Sequence, residues 1–329
     1  ARTKCLVVWG CDPLSSNRQV PNVIAKFGDI LDRGTVIAVD PRLSASAAKA
    51  NEWLPIKPGE DGALAAALAH VIMTEGMWSR EFVGDFKDGK NLFKAGATIE
   101  EAAFVEKQTH GVIKWWNLEL KDKTPAWAAK KTLLPEDQIL RVARIMGKGG
   151  SATSVWMGPG VAMTPRGTYA AMAVYALNGI LGSIETEGGV FQSSGAPVEK
   201  FPSADKFIDE LAKHHGHGKK IDGRGAKDMP AMMSGKPGSG VVTNNVANAL
   251  LKDPDAIKVF LSTWSNFVFS ATGAQRWEKV MARIPFFVHM VTNASEMSQY
   301  ADIVLPATFA PTEKLSIIGN MANLHGHIS

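Results

Sequence analysis

"KCLVVWGCDPLSSN", residues 4–17, is an apolar run stopped by Gly10, Asp12 and Pro13. A continuous apolar run closed by turn formers, rather than an alternating one, is the pattern of a strand covered on both faces, as in a parallel sheet. "TVIAVD" (35–40) is a second such run, ending on Asp40 and Pro41. Between them, "PNVIAKFGDILDRG" (21–34) spaces Val23, Ile24, Phe27, Ile30 and Leu31 as a helical stripe closed by Gly34. The three segments form a β-α-β unit whose first strand ends in a polar turn.

The rhythm continues along the chain. "DGALAAALAHVIMTEG" (61–76) places Leu64, Ala67, Leu68, Val71 and Ile72 on one face and Asp61 in the first turn, which predicts a covering helix. "LPEDQILRVARIMG" (134–147) predicts another, with Pro135 and acids at its start and Gly147 at its end. "SATSVWMGPG" (151–160) is a strand running into a Gly-Pro-Gly turn, and "GTYAAMAVYALNGILG" (167–182) is a helix apolar on nearly all sides, expected to be buried. Residues 192–240 change to a Gly, Pro, Lys and His composition without periodicity, the mark of a linker or lid. The alternation then resumes with "IKVFLS" (257–262), "SATGAQRWEKVMARI" (270–284), "PFFVHMV" (285–291) and "EMSQYADIVLPAT" (296–308). The expected organisation is a first nucleotide-binding α/β domain over 1–191, a linker over 192–240, and an incomplete, repeat-related domain over 241–329. The fold class is α/β, with two related Rossmann-like parallel-sheet domains and helices on both faces.

The second domain is called related because the chain repeats itself. Aligning Lys4 with Lys258 sets "KVFLSTWSNFVFS" on the opening stretch, Asp12 on Asn266 and Ser16 on Ser270. "AKANEWLP" (48–55) then pairs with "QYADIVLP" (299–306). In open α/β sheets, ligands bind at strand carboxyl ends, where main-chain N–H groups and helix N-termini favour phosphate. Asp12 and Asn266 are therefore candidates to hydrogen-bond a polar ligand, with Gly10 letting the backbone approach. Asp40 stands where such folds place a ribose-binding carboxylate, although Asp before Pro is also an ordinary turn former. The Gly-x-Gly-x-x-Gly fingerprint of a dinucleotide dehydrogenase is absent from "GCDPLS", and "GPGVAMTPRG" (158–167) lacks its third glycine, which argues against NAD.

Composition narrows the remaining classes. With 329 residues and 45% apolar content, the chain is long enough for more than one core. A net charge of +4 with no concentrated basic patch does not describe a nucleic-acid binder. The two cysteines, Cys5 and Cys11, suffice for neither a structural zinc nor an iron–sulfur cluster, and Cys5 reads as a core residue. "HHGHG" (214–218) lacks nearby carboxylate or thiolate partners and reads as surface, so no metal ligand is assigned. The longest apolar stretch, "AAMAVYAL" (170–177), is too short to span a bilayer. The opening on Ala1 and the abrupt end at Ser329 suggest a piece of a longer protein.

Four blocks in order, "LVVWGCDPLSS", "VIAVDPRLSASAAKANEWLPIKPGEDGALAAALAHVI", "WMGPGVAMTPRGTYAAMAVYALNGILGSIETEGGV" and "QYADIVLPATFAPTEK", resemble the molybdopterin oxidoreductases of the dimethyl sulfoxide reductase family. The resemblance implies a bis-(molybdopterin guanine dinucleotide) cofactor carrying molybdenum or tungsten, with one nucleotide arm on each α/β domain. It implies that Gly10, Asp12 and Ser15 belong to the family's Gly-x-Asn-Pro turn, with Asp in place of the usual Asn. Asp40 and Arg42 match its guanosine-contacting Asp-Pro-Arg, and Gly59 and Asp61 its Pro-Gly-x-Asp. Gly158 and Gly160 match the Gly-x-Gly beside a pterin or its phosphates. In the second half, Asn266 fills the Asn position with Ser270 following as in the repeat, and Glu296 and Asp302 match the acidic residues of the family's Thr-Glu-Thr-Ala and Ala-Asp blocks. Gly10 is answered there by Trp264 and Asp40 by Val291, so one expected carboxylate is lacking.

By the same resemblance, Gln192, Ser193 and Ser194 approach the metal. The metal ligand and a 4Fe-4S cluster are expected upstream of the first motif. The block "ALNGILGSIETEGG" is closest to the polysulfide, thiosulfate and arsenate reductase branch. That branch implies a periplasmic respiratory enzyme with a ferredoxin-like iron–sulfur partner and a membrane anchor that interacts with quinone. A metal-free homologue serving as a scaffold or electron-transfer subunit is the alternative reading.

Overall fold

The computed structural model describes residues 2–17, 20–165, 167–192, 203–210, 213, 221–223, 243–308, 317–318 and 327–328. The chain divides into two compact units, Ala1–Ser193 and Ser194–Ser329. In chain order the first unit runs β1 (Cys5–Trp9), α1 (Pro13–Ser16), α2 (Val20–Leu31), β2 (Thr35–Val39), α3 (Ala45–Lys49), β3 (Glu52–Leu54) and α4 (Asp61–Thr74). It continues with β4 (Gly84–Phe86), β5 (Phe104–Glu106), α5 (Val112–Leu118), α6 (Pro125–Thr132), α7 (Glu136–Gly149), β6 (Thr153–Met157), α8 (Pro159–Ala162) and α9 (Gly167–Leu181).

Four strands pair in parallel in the order β3-β2-β1-β6, with Cys5 opposite both Thr35 and Thr153. All five residues of β1 are buried, and their alternation explains why. Cys5, Val7 and Trp9 enter the main core with Leu68 of α4, Val142 of α7 and Leu177 of α9. Leu6 and Val8 turn the other way, onto Phe27 and Ile30 of α2. Each fully buried Val or Leu stabilises the fold by about 1.5–3 kcal/mol, so the continuous apolar run is what a doubly covered strand requires.

Two helices depart from the sequence expectation, in opposite directions. α4 was expected to bury one face, yet ten of its residues are buried. The cause is the segment between residues 77 and 133, which carries no clear period. It contributes the antiparallel pair β4–β5 and packs Trp78, Phe86, Phe93, Phe104 and Trp116 into the same core, with Phe93 centred 5.0 Å from both Phe86 and Trp116. α9 was expected to be wholly buried, but Tyr169, Met172 and Tyr175 form an exposed stripe. Apolar content alone did not reveal which faces have a neighbour.

The second unit contains α10 (Thr243–Lys252), β7 (Phe260–Thr263), α11 (Phe267–Ser270), α12 (Ala274–Met281), β8 (Phe287–Val291), a 3-10 turn (Glu296–Tyr300) and β9 (Ile303–Pro306). Its strands pair in parallel in the order β7-β8-β9, as β1, β2 and β3 do. Leu250 of α10 and Trp277 and Val280 of α12 form a core with Phe287, while Val259, Leu261 and Ile303 are exposed.

The internal repeat extends to individual hydrogen bonds. Gly10 N–H donates to Val39 O at 2.9 Å, and Trp264 N–H donates to Met290 O at 3.1 Å. Ser16 Oγ donates to Asp12 O and Ser270 Oγ to Asn266 O, both at 2.8 Å. Val36 N–H donates to Asn51 Oδ1 at 2.7 Å, as Phe287 N–H does to Asp302 Oδ2 at 2.8 Å.

One side chain of α9 bonds both main-chain groups of a residue in the edge strand β6. Asn178 of α9 is 2% exposed; its Oδ1 accepts from Val155 N–H at 2.9 Å and its Nδ2 donates to Val155 O at 3.2 Å. Asn178→Leu keeps the volume but leaves both main-chain groups without their partner. The expected cost is about 2–4 kcal/mol, read as a lower urea midpoint with an unchanged slope.

Candidate functional site

Because β1 lies between β2 and β6, the chain leaves the sheet in opposite senses at two adjacent strands, which opens a crevice at their carboxyl ends. The turns there meet backbone to backbone. Gly158 N–H donates to Trp9 O at 2.7 Å and Gly160 N–H to Gly10 O at 3.1 Å. A Cβ on Gly160 would lie 2.7 Å from Gly10 O, and Gly10 itself holds φ +63°, a left-handed conformation that glycine adopts without penalty. These contacts floor a groove of ≈ 350 Å³.

Seven of the residues singled out from the sequence line this groove: Gly10, Asp12, Asp40, Arg42, Gly59, Asp61 and Gly160. They come from three loops, after β1, after β2 and before α4, joined by the turn after β6. Cys11, Ser16, Pro58 and Thr164 also line it and were not singled out. Ser16 had a signal, since the repeat pairs it with Ser270. Thr164 carried none in its residue type or spacing. A larger groove, ≈ 440 Å³, runs along α7 beside Arg141, Arg144 and Lys148. It is a helix flank whose arginines are already paired with Glu52 at 2.6 Å and Glu75 at 2.8 Å, and it offers no main-chain lining comparable to the crevice.

The acids in the crevice differ in how far they are engaged. Asp12 Oδ1 accepts from Ser46 Oγ at 2.7 Å and Ser46 N–H at 3.0 Å, and Oδ2 accepts from Ala45 N–H at 3.3 Å. Burial alone would raise its pKa. The bonds from Ser46, the Ser15 hydroxyl and Ala45 outweigh burial and hold it below the usual carboxylate range. Asp12 is thus a brace between α1 and α3. Asp61 Oδ1 accepts from Trp9 Nε1 at 2.7 Å, which orients the carboxylate at the start of α4. Asp40 Oδ1 accepts from Arg42 N–H at 2.9 Å, while the Arg42 guanidinium is 73% exposed with Nη2 3.7 Å from Asp12 Oδ2. The thiols are quiet: burial pushes Cys5 up to about 12 and Cys11 up to about 11, leaving neither a ready nucleophile.

Other predicted residues fall elsewhere. Ser15 is exposed on α1, bonded to Asp12, and Gly158 sits behind the groove lining. Gln192 is exposed, its N–H donating to Glu185 Oε1 at 2.5 Å. Ser193, Ser194 and the histidines of 214–218 lie outside the described residues.

In the second unit the turn after β7 has the same backbone course as the turn after β1. Asn266 has φ −135° and ψ 73°, against −123° and 76° for Asp12. Asn266 Nδ2 donates to Glu296 Oε2 at 2.6 Å, which lowers the Glu296 pKa, and Asn266 Oδ1 is buried without a partner among the described residues. Ser270 is exposed, its hydroxyl bonded to Asn266 O. The Asp302 carboxylate is taken up by Phe287 N–H at the amino end of β8, the opposite end of the strand from these turns. His289, which sequence reasoning passed over, is fully buried: its Nδ1 meets Ser298 Oγ at 3.0 Å, and its Nε2 meets Ser265 O at 2.9 Å. A carbonyl only accepts, so the proton is on Nε2 and the ring ties the turn to the 3-10 segment. Trp264 holds φ +56°, a conformation that costs a non-glycine residue about 1–2 kcal/mol.

The brace at Asp12 has a pH signature. Its pKa is lower folded than unfolded, so its stabilisation is complete above the unfolded value of about 3.9 and is lost as pH falls through the folded value. Asp12→Ala is expected to cost about 1–3 kcal/mol at neutral pH. In urea titrations the stabilities of variant and parent should converge as the pH is brought into the acid range; a gap that stays constant with pH would remove the carboxylate from the account.

A family model for molybdopterin oxidoreductases matches residues 1–328. The chain is 55% identical over 327 residues to the arsenate respiratory reductase molybdopterin-containing subunit of Chrysiogenes arsenatis, and 44% identical over 328 residues to its counterpart in Shewanella sp. (strain ANA-3). Each match covers 99% of this chain and 38% of the relative, so the chain spans well under half of their length. The thiosulfate reductase molybdopterin-containing subunit of Salmonella typhimurium is 28% identical, covering 88% of this chain and 35% of that protein. Among solved structures, acetylene hydratase from Pelobacter acetylenicus shares the fold with a TM-score of 0.70 at 20% identity, over 99% of this chain and 44% of that one. With crevice, repeat and family match in agreement, the chain belongs to the molybdopterin oxidoreductase family.

Proposed function

We propose that this chain is the cofactor-binding centre of the catalytic subunit of a respiratory molybdenum oxidoreductase that reduces arsenate. The 55% identity across nearly the whole chain to an arsenate respiratory reductase subunit carries this reading, against 28% to a thiosulfate reductase subunit. A metal-free scaffold is less well supported, because the relatives at 55% and 44% identity are molybdopterin-containing reductase subunits by name.

The residues present fit one arm of a bis-(molybdopterin guanine dinucleotide) in each unit. In the first, the close contact of Gly160 with Gly10 keeps side chains off the groove floor, so an anionic pyrophosphate can lie against main chain. Arg42 supplies a mobile cation for phosphate, and Asp40 and Asp61 supply acceptors for ribose hydroxyls and for the N–H edge of guanine. In the second, Asn266 Oδ1, without a partner among the described residues, can accept from the ligand, and Glu296 fixes the orientation of the amide. When bound, the molybdenum supplies two-electron oxygen-atom transfer, by which arsenate takes up two electrons and two protons, yielding arsenite and water. What this chain does is bind one arm in each unit.

In this reading electrons arrive through a 4Fe-4S cluster outside these residues and a ferredoxin-like iron–sulfur subunit. A quinone-interacting membrane anchor holds the assembly on the periplasmic side. The full-length protein, purified anaerobically, should contain about one molybdenum and release about two guanine nucleotides per chain in acid. It should oxidise a reduced viologen faster with arsenate than with thiosulfate or polysulfide. Protein free of molybdenum and guanine, or a preference for the sulfur compounds, refutes the corresponding part.

A further inference from the structure

We propose that Trp264 is an aromatic platform on which a fused heteroaromatic ring of the cofactor, pterin or guanine, stacks in the second unit. The inference rests on the cofactor reading above and adds a residue that the repeat would have assigned to glycine. Trp264 occupies the place of Gly10 and keeps that residue's left-handed backbone, φ +56° against +63°. A side chain that size in that conformation is strained, and strain of this kind persists where the surroundings impose it. Here they do: Trp264 N–H is bonded to Met290 O, and the adjoining Ser265 O to His289 Nε2.

The strain brings no packing in return among the described residues. Trp264 is 77% exposed, and Phe269 on the following helical turn is 74% exposed. Between them in sequence lies Asn266, whose Oδ1 is buried and without a partner among the described residues. A solvent-facing indole two residues from a buried acceptor with no partner among the described residues is suited to a ligand with a flat π-face and an N–H or O–H donor. Pterin and guanine both have these features. In the first unit the corresponding space is filled by the Gly160–Val161 turn, 3.0 Å from a Cβ on Gly10, so the two arms are gripped differently.

Trp264→Gly and Trp264→Phe in the full-length protein separate this role from a packing role. Glycine relieves the backbone strain, so the cofactor-free Trp264→Gly protein should melt no lower than the cofactor-free parent. The loaded variant should lose guanine nucleotide and molybdenum about ten- to a hundredfold faster in mild urea, the range of one base–aromatic stack. Trp264→Phe should stay close to the parent in both measurements. Titrating GDP and neopterin phosphate into cofactor-free protein sorts the two rings, since the glycine variant weakens the one that stacks. Retention by Trp264→Gly equal to the parent's overturns the proposal. So does an equal loss in Trp264→Phe, or a cofactor-free melting temperature that falls as far as that of the loaded protein. A parent that itself contains no guanine instead refutes the cofactor reading.

Discussion

The crevice depends on one constraint: the turns leaving β1 and β6 must touch main chain to main chain. The bonds from Gly158 N–H to Trp9 O and from Gly160 N–H to Gly10 O leave no room for a side chain between them. Everything that lines the groove is placed relative to that contact. The Trp9 indole reaches across to Asp61, and the turn after β1 carries Asp12 onto the first turn of α3. β1 and β2 beneath it are buried on both faces, so the floor rests on close-packed strands.

The repeat separates what the architecture requires from what each binding site requires. Pins on the main chain recur with their geometry intact, even where the residue type changes. Asn51 and Asp302 are an amide and a carboxylate, yet each accepts a main-chain N–H at the amino end of the corresponding strand, from Val36 of β2 and Phe287 of β8. Residues at the carboxyl ends of the strands diverge. Asp40 is answered by the buried Val291, and Gly10 by an exposed tryptophan. Two halves with one backbone plan thus present different chemistry at their strand ends.

Asp12 shows how a motif residue can change meaning once its partners are known. As a lone carboxylate at a strand end it invites a ligand-binding role. In the fold its oxygens are occupied by Ser46 and Ala45, so its main work is to hold the loop that carries Asp40 and Arg42. The charge left to face the groove is that of the exposed Arg42 and of Asp61, oriented by Trp9.

The amino-acid order was sufficient to place the β-α-β units, the polar turns at strand ends, the duplication and seven of the groove residues. These features rest on local rules: unbroken apolar runs for doubly covered strands, glycine where backbones approach, and acids and prolines where strands stop. It was insufficient for residues 77–133, whose aromatics have no period because they fill gaps around α4 rather than line one face of a helix. The exposed stripe of α9, the bracing of Asp12 by Ser46, the burial of His289 and the strained exposure of Trp264 were settled by folding. Each depends on which distant segment lies alongside, a contact that residue type and spacing do not encode.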